Sequence, residues 1–105
     1  MLKDDKLKQM EKRNEKHLQF AICLLRRRLE LKLNQRDVCK KFKRAQTFLT
    51  PIENGRQIPS AVLVRRFVKL YGMDEEHCMK VALESRMAWY KNLMEKRYVV
   101  KKKVI

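Results

Sequence analysis

Apolar residues along this chain recur with helical spacing over most of its length. Leu18, Ile22, Leu25 and Leu29 fall at i, i+4, i+7 and i+11, which predicts one face of a helix from His17 to about Lys32. Arg26, Arg27 and Arg28 sit over that face and to either side of it. Asn34 then offers a side-chain oxygen at a helix start, with Asp37 three residues on, so a short helix over 35–42 should bury Val38 and Phe42. Lys43-Arg44-Ala45 makes a turn. A second short helix starts near Gln46, buries Phe48, Leu49 and Ile52, and closes at Gly55, a residue that takes the left-handed end position without strain. Ser60 caps a further helix with Val62, Leu63, Phe67 and Leu70 expected inward and Gly72 at its end.

The last helix, about 75 to 98, begins with Asp74-Glu75-Glu76, where the helix dipole favours negative charge. It carries two apolar stripes. Met79, Leu83, Met87, Tyr90, Met94 and Tyr98 form one, and Cys78, Ala82, Trp89 and Leu93 form another beside it. At about 100° per residue the two together cover roughly half the circumference. Packing on one small domain needs a single stripe, so the second is expected to meet another copy of the chain, with Cys78, Ala82, Trp89 and Leu93 as candidate dimerisation residues. One broad intramolecular face is the other reading.

The pattern therefore predicts an all-α protein of five helices with an extended C-terminal helix. Val99-Val100 is too short for a strand. Residues 1–16 mix six basic and four acidic side chains, with only Leu2, Leu7 and Met10 able to bury anything, and read as a charged N-terminal arm or helix extension. Residues 17–73 form the central domain, and 74–105 the terminal helix with a Lys101-Lys102-Lys103 tail expected to be disordered.

Composition narrows the partners more than the fold. Of 105 residues 45% are hydrophobic, enough for one modest core, and the two glycines and two prolines leave helices largely uninterrupted. The net charge of +15 points to a polyanion, with nucleic acid ahead of an acidic membrane surface. Cys23, Cys39 and Cys78 are odd in number and far apart, and they make no ligand pattern with His17 or His77, so no metal and no cofactor are expected. Free thiols in a reducing compartment fit better. No stretch approaches the roughly 20 apolar residues of a membrane span, and no secretory signal is visible, so a cytoplasmic protein is expected. No Ser-His-Asp, metal-ligand or phosphate-loop pattern supports an enzyme.

The informative unit is residues 33–55, LNQRDVCKKFKRAQTFLTPIENG: two short helices around a three-residue turn, the second ending in Glu-Asn-Gly. It resembles the Cro/lambda-repressor-like (XRE) helix-turn-helix family, whose pattern runs roughly L-[ST]-Q-x-x-[LV]-A-x-x-[LF]-G, a turn, and a recognition helix ending in E-[NS]-G. Leu33, Gln35, Val38, Phe42, Leu49, Ile52, Glu53, Asn54 and Gly55 land on that pattern, and the likeness extends over about residues 18–73. In such pairs the first helix crosses the DNA backbone and the second presents its N-terminal side chains to base edges in the major groove. Gln46 can donate and accept together, as the adenine N6/N7 edge requires, and Thr47 and Thr50 on the same side offer hydroxyls and methyls. The resemblance implies that Gln35 grips a phosphate and that Asn54 and Arg56 meet the backbone on the far side, while Lys43 and Arg44 add charge in the turn.

Three positions depart from the family. Lys43 replaces the turn glycine, so a left-handed backbone there costs strain. Cys39 replaces a small alanine where the helices cross, as a packing residue. Pro51 lies inside the recognition helix, which is expected to kink or to end near Thr50. The reading that results is a repressor binding a palindromic operator in double-stranded DNA as a homodimer. An antitoxin that also holds a toxin partner, and a basic module for RNA or protein, are the alternatives.

Overall fold

The computed structural model describes the backbone of residues 2–104 and the side chains of residues 5–95. Among the described residues six α-helices follow one another: α1 (Leu2–Arg13), α2 (Gln19–Glu30), α3 (Gln35–Lys41), α4 (Leu49–Glu53), α5 (Ala61–Tyr71) and α6 (Glu75–Val104). Single 3-10 turns, Lys16–Leu18 and Gln46–Phe48, lead into α2 and α4. The all-α expectation holds, with one helix more than the five expected, because the N-terminal arm is itself helical. The terminal helix also runs on to Val104, through the lysines expected as a disordered tail. The side chains of Leu2, Tyr98 and Lys101-Lys102-Lys103 lie outside the described residues.

The arm docks rather than dangles. Met10 is buried, and with Leu7 it packs on Leu18, Ala21, Ile22 and Leu25 of the second helix and its leading turn. Most of the predicted α2 stripe is therefore the seat of α1, while Phe20 and Leu24, on another side of α2, enter the main core. Arg26 pairs with Glu11 at the rim of this contact. Asn14, at φ 49°, turns the chain out of α1, a conformation that asparagine tolerates better than most residues.

The main core joins α2 to α6 around an aromatic cluster. Phe67 lies 4.6 Å from Phe42, 5.7 Å from Tyr71 and, stacked, 6.4 Å from Phe48, measured between ring centroids. On α5 the buried face is Val64, Phe67, Val68 and Tyr71, at i, i+3, i+4 and i+7. Val62, expected inward, is 72% exposed, and Leu63 and Leu70 are only half-buried. The run Ala61-Val62-Leu63-Val64 is apolar throughout, so it does not fix the helical phase by itself. Burial pushes the Tyr71 phenol up from its ordinary pKa, with the Glu53 carboxylate adding to the effect. Tyr71 Oη has no hydrogen-bond partner among the described residues. A Tyr71→Phe variant should thus keep or raise stability, by up to about 1 kcal/mol in urea unfolding, since the hydroxyl it removes is desolvated without a bond in return.

Of the α6 stripe expected inward, Met79 packs against the core, while the head of the other stripe is buried there too. Cys78 and Ala82, candidate dimerisation residues, are buried in the chain's own core, and Trp89 and Leu93 on the same side are half-buried. Their small neighbours allow the close approach that the bulky stripe does not. Between them, Ser85 is fully buried: its Oγ accepts from the Phe20 N–H at 3.1 Å and donates to the Lys16 carbonyl at 3.3 Å. A hydroxyl 65 residues away in sequence thus satisfies an orphan donor in the first turn of α2. Arg86 donates to the carbonyls of Ile58 and Pro59, at 3.2 and 2.7 Å, and ties α6 to the loop before α5. Leu83, Met87, Tyr90 and Met94 are left more than half exposed.

Candidate nucleic-acid interface

The segment from Asn34 to Arg56 is held by a buried polar cluster. Arg28 of α2 and Glu53 of α4 are both fully buried and paired in two places, Nε to Oε2 at 2.5 Å and Nη2 to Oε1 at 2.9 Å. Arg28 Nη1 also donates to the Leu33 carbonyl at 2.8 Å, and Gln35 Nε2 donates to Glu53 Oε1 at 2.9 Å. Four pieces of chain are therefore tied together around one ion pair: α2, the loop after it, the start of α3, and α4. A planar guanidinium that donates in a fork suits this role where a lysine would not.

Local chemistry sets the helix ends around that clamp. Asn34 Oδ1 accepts from the Asp37 N–H at 2.8 Å and caps α3 as expected. Lys43 takes φ 54°, the left-handed turn position where a glycine would be unstrained, and the Arg44 N–H closes the turn on the Cys39 carbonyl at 2.9 Å. Cys39 is buried at the crossing, its thiol 3.9 Å from the Gln46 carbonyl. Gly55 takes φ 78° and lies against Leu18, so a Cβ there would overlap that side chain.

Pro51 behaves differently from expectation. The helix expected to do the reading neither breaks nor ends at Thr50: α4 runs through Glu53, and the Asn54 N–H reaches the Thr50 carbonyl at 3.0 Å. The chain enters through the 3-10 turn Gln46–Phe48, which places Pro51 in the first turn of the α-helical part, where a missing N–H is tolerated. The Pro51 carbonyl then accepts from the Arg56 N–H at 3.0 Å and finishes the stop.

Gln46, Thr47 and Thr50 are all exposed on this segment, while Leu49, Ile52 and Glu53 on its other side are buried. Gln46 shares a shallow polar depression with Asn34, Gln35 and Arg36. Arg36, exposed beside Gln46, was not singled out by the sequence motif. Gln35 is half-buried, lines the depression and commits one amide N–H to Glu53. Lys43 and Arg56 are exposed, and Asn54 is half-buried just past the helix. Arg44 is also exposed, with its guanidinium 5.3 Å above the Phe48 ring, and Arg66 lies 4.7 Å above Phe42. The aromatic core thus has cations on its outer face.

Cys23, Cys39 and Cys78 are free thiols, and burial pushes the pKa of Cys23 and Cys78 up, which suppresses their thiolate forms. No helix among the described residues is long and apolar enough to cross a membrane. Compared with known proteins, the sequence matches the model of a helix-turn-helix domain family over residues 19–78, more than half of the chain. No curated protein and no solved structure matches it.

Proposed function

Since this chain belongs to the helix-turn-helix domain family, we propose that it is a sequence-specific regulator of transcription, a repressor that occupies a palindromic operator as a dimer. DNA binding in general goes with the family; the base-reading residues and the operator symmetry are the proposal. The observation that carries it is the exposure of Gln46, Thr47 and Thr50 on a helix whose opposite side is clamped by Arg28 and Glu53. A base-reading side chain works only if its backbone is fixed, and the buried ion pair fixes it. The amide of Gln46 matches adenine in the major groove, and Thr47 and Thr50 add methyl contact with thymine. Arg56, Lys43 and Arg44, with the charge of +15 behind them, supply phosphate contacts that carry no sequence information. One such module reads few base pairs, so two half-sites about 34 Å apart give the specificity that one cannot.

These roles separate in a binding titration on a selected site and on random duplex. Gln46→Ala should cost about 1–3 kcal/mol on the selected site and almost nothing on random DNA. Arg56→Ala should weaken both alike and reduce the slope of log K against log salt by roughly 1. Indistinguishable behaviour of the two variants on both duplexes would refute the assignment of roles.

A further inference from the structure

The stripe of α6 left outside the core has no use in the DNA-reading unit. Leu83, Met87, Tyr90 and Met94 are 62%, 65%, 52% and 68% exposed, and with Ala88 they line one continuous groove edged by Lys16, Glu84, Lys91 and Glu95. Four large apolar side chains in one exposed stripe mark an interaction surface rather than a solvated face. The geometry points to a second copy of this chain as the occupant, bound through an antiparallel pairing of α6 with α6. The proposal rests on the dimeric reading above and deepens it, because it moves the interface off the Cys78 and Ala82 stripe and fixes its direction.

The grounds are spacing and charge. The four apolar positions step by 4, 3 and 4 residues, the spacing of a two-helix seam. Antiparallel pairing about a two-fold axis between Ala88 and Trp89 sets Met87 against the partner's Tyr90 and Leu83 against the partner's Met94. On one flank of the stripe, at about 100° per residue, lie Lys80, Glu84, Lys91 and Glu95, all exposed. The same two-fold axis brings Glu84 within about 3 Å along the helix axis of the partner's Lys91, and Lys80 equally close to the partner's Glu95. Each attraction occurs twice. Parallel pairing instead turns this charged flank toward the opposite one, which carries Met79, Arg86 and Leu93. There Arg86 is already bound to Ile58 and Pro59, and Lys91 meets no carboxylate. The charges thus select both the occupant and its orientation.

The test is the mass of the full chain in solution without DNA, by sedimentation equilibrium at tens of micromolar, for the parent and three surface variants. The parent should have twice the 12.8 kDa mass of one chain. Met87→Glu should weaken the dimer at least about 10-fold, since each copy would bury an unpaired carboxylate, while its melting curve stays that of a folded helical protein. Glu84→Lys should weaken it a few-fold, roughly 3 to 10, and adding Lys91→Glu to Glu84→Lys should restore parental affinity, because both pairs are then reversed together. A parent that stays at the mass of one chain overturns the proposal together with the dimeric reading, and gives the face to a different protein, as the antitoxin alternative requires. A dimer that Met87→Glu leaves intact overturns this interface while the dimeric reading stands. A double charge reversal no tighter than the single one overturns the antiparallel arrangement.

Discussion

Replacing Glu53 with alanine should lower the stability of the chain by about 3–5 kcal/mol, a large part of what a domain of this size possesses. The main cause is the guanidinium left behind. Arg28 is fully buried and, among the described residues, has the Glu53 carboxylate and the Leu33 carbonyl to replace its water. Without the carboxylate, one buried positive charge is uncompensated, and Gln35 is deprived of its partner as well. Glu53→Gln should be nearly as costly, because it keeps the volume and removes the charge. Replacing both members, as in Arg28→Leu with Glu53→Met, should recover most of the stability, since a buried pair and its apolar substitute are often close in free energy. Urea unfolding followed by helical circular dichroism measures all three. A Glu53→Ala protein as stable as the parent would show that the pair does not clamp α4.

Phe67→Ala should cost a comparable ~3–5 kcal/mol by a different route. Phe67 is wholly buried and packs against Phe42 at the end of α3, Phe48 in the turn before α4, and Tyr71 on its own helix. Its removal opens a cavity between the two halves of the helix-turn-helix unit and dismantles three aromatic pairs. The effect on DNA should be secondary: where the variant is still folded, affinity for specific and random duplex should fall together as the folded fraction falls. Phe67→Leu should cost much less, because it keeps most of the volume. A cost for Phe67→Ala below about 1 kcal/mol would mean that the cavity collapses and that the cluster is not the keystone of the core.

Much of the reading unit was legible in the residues because it is made of local chemistry. The Asn34 cap, the turn at 43–45, and the glycines at 55 and 72 each depend on neighbours within a few positions, and each is in place. The helix phases that differ from expectation involve choices between equivalent stripes. Val62 and Val64 are equally apolar, and only the packing of α5 on α6 and α2 decides between them. The two stripes of α6 are likewise both apolar; the inner one won because Cys78, Ala82 and Ser85 are small and let α6 lie close to the head of α2.

Arg28 was legible in principle. It stands four residues after Leu24 and eight after Phe20, on the buried side of α2, but in a run of three arginines its phase is hard to single out. Pro51 departs from expectation because the cost of a helix-interior proline does not apply at a position that the preceding 3-10 turn converts into a first turn. Ser85 and Arg86, which tie the last helix to residues 16, 20, 58 and 59, give no local sign at all.

In the proposed reading a rigidly held Gln46 faces the edges of base pairs. Selection from a random duplex pool at physiological salt, run in parallel with the parent and with Gln46→Ala, tests that orientation. The parent should enrich a defined motif, and the variant should return the same motif with preference lost at one base pair in each half-site. An unenriched pool for the parent, or an unchanged motif for the variant, would contradict it.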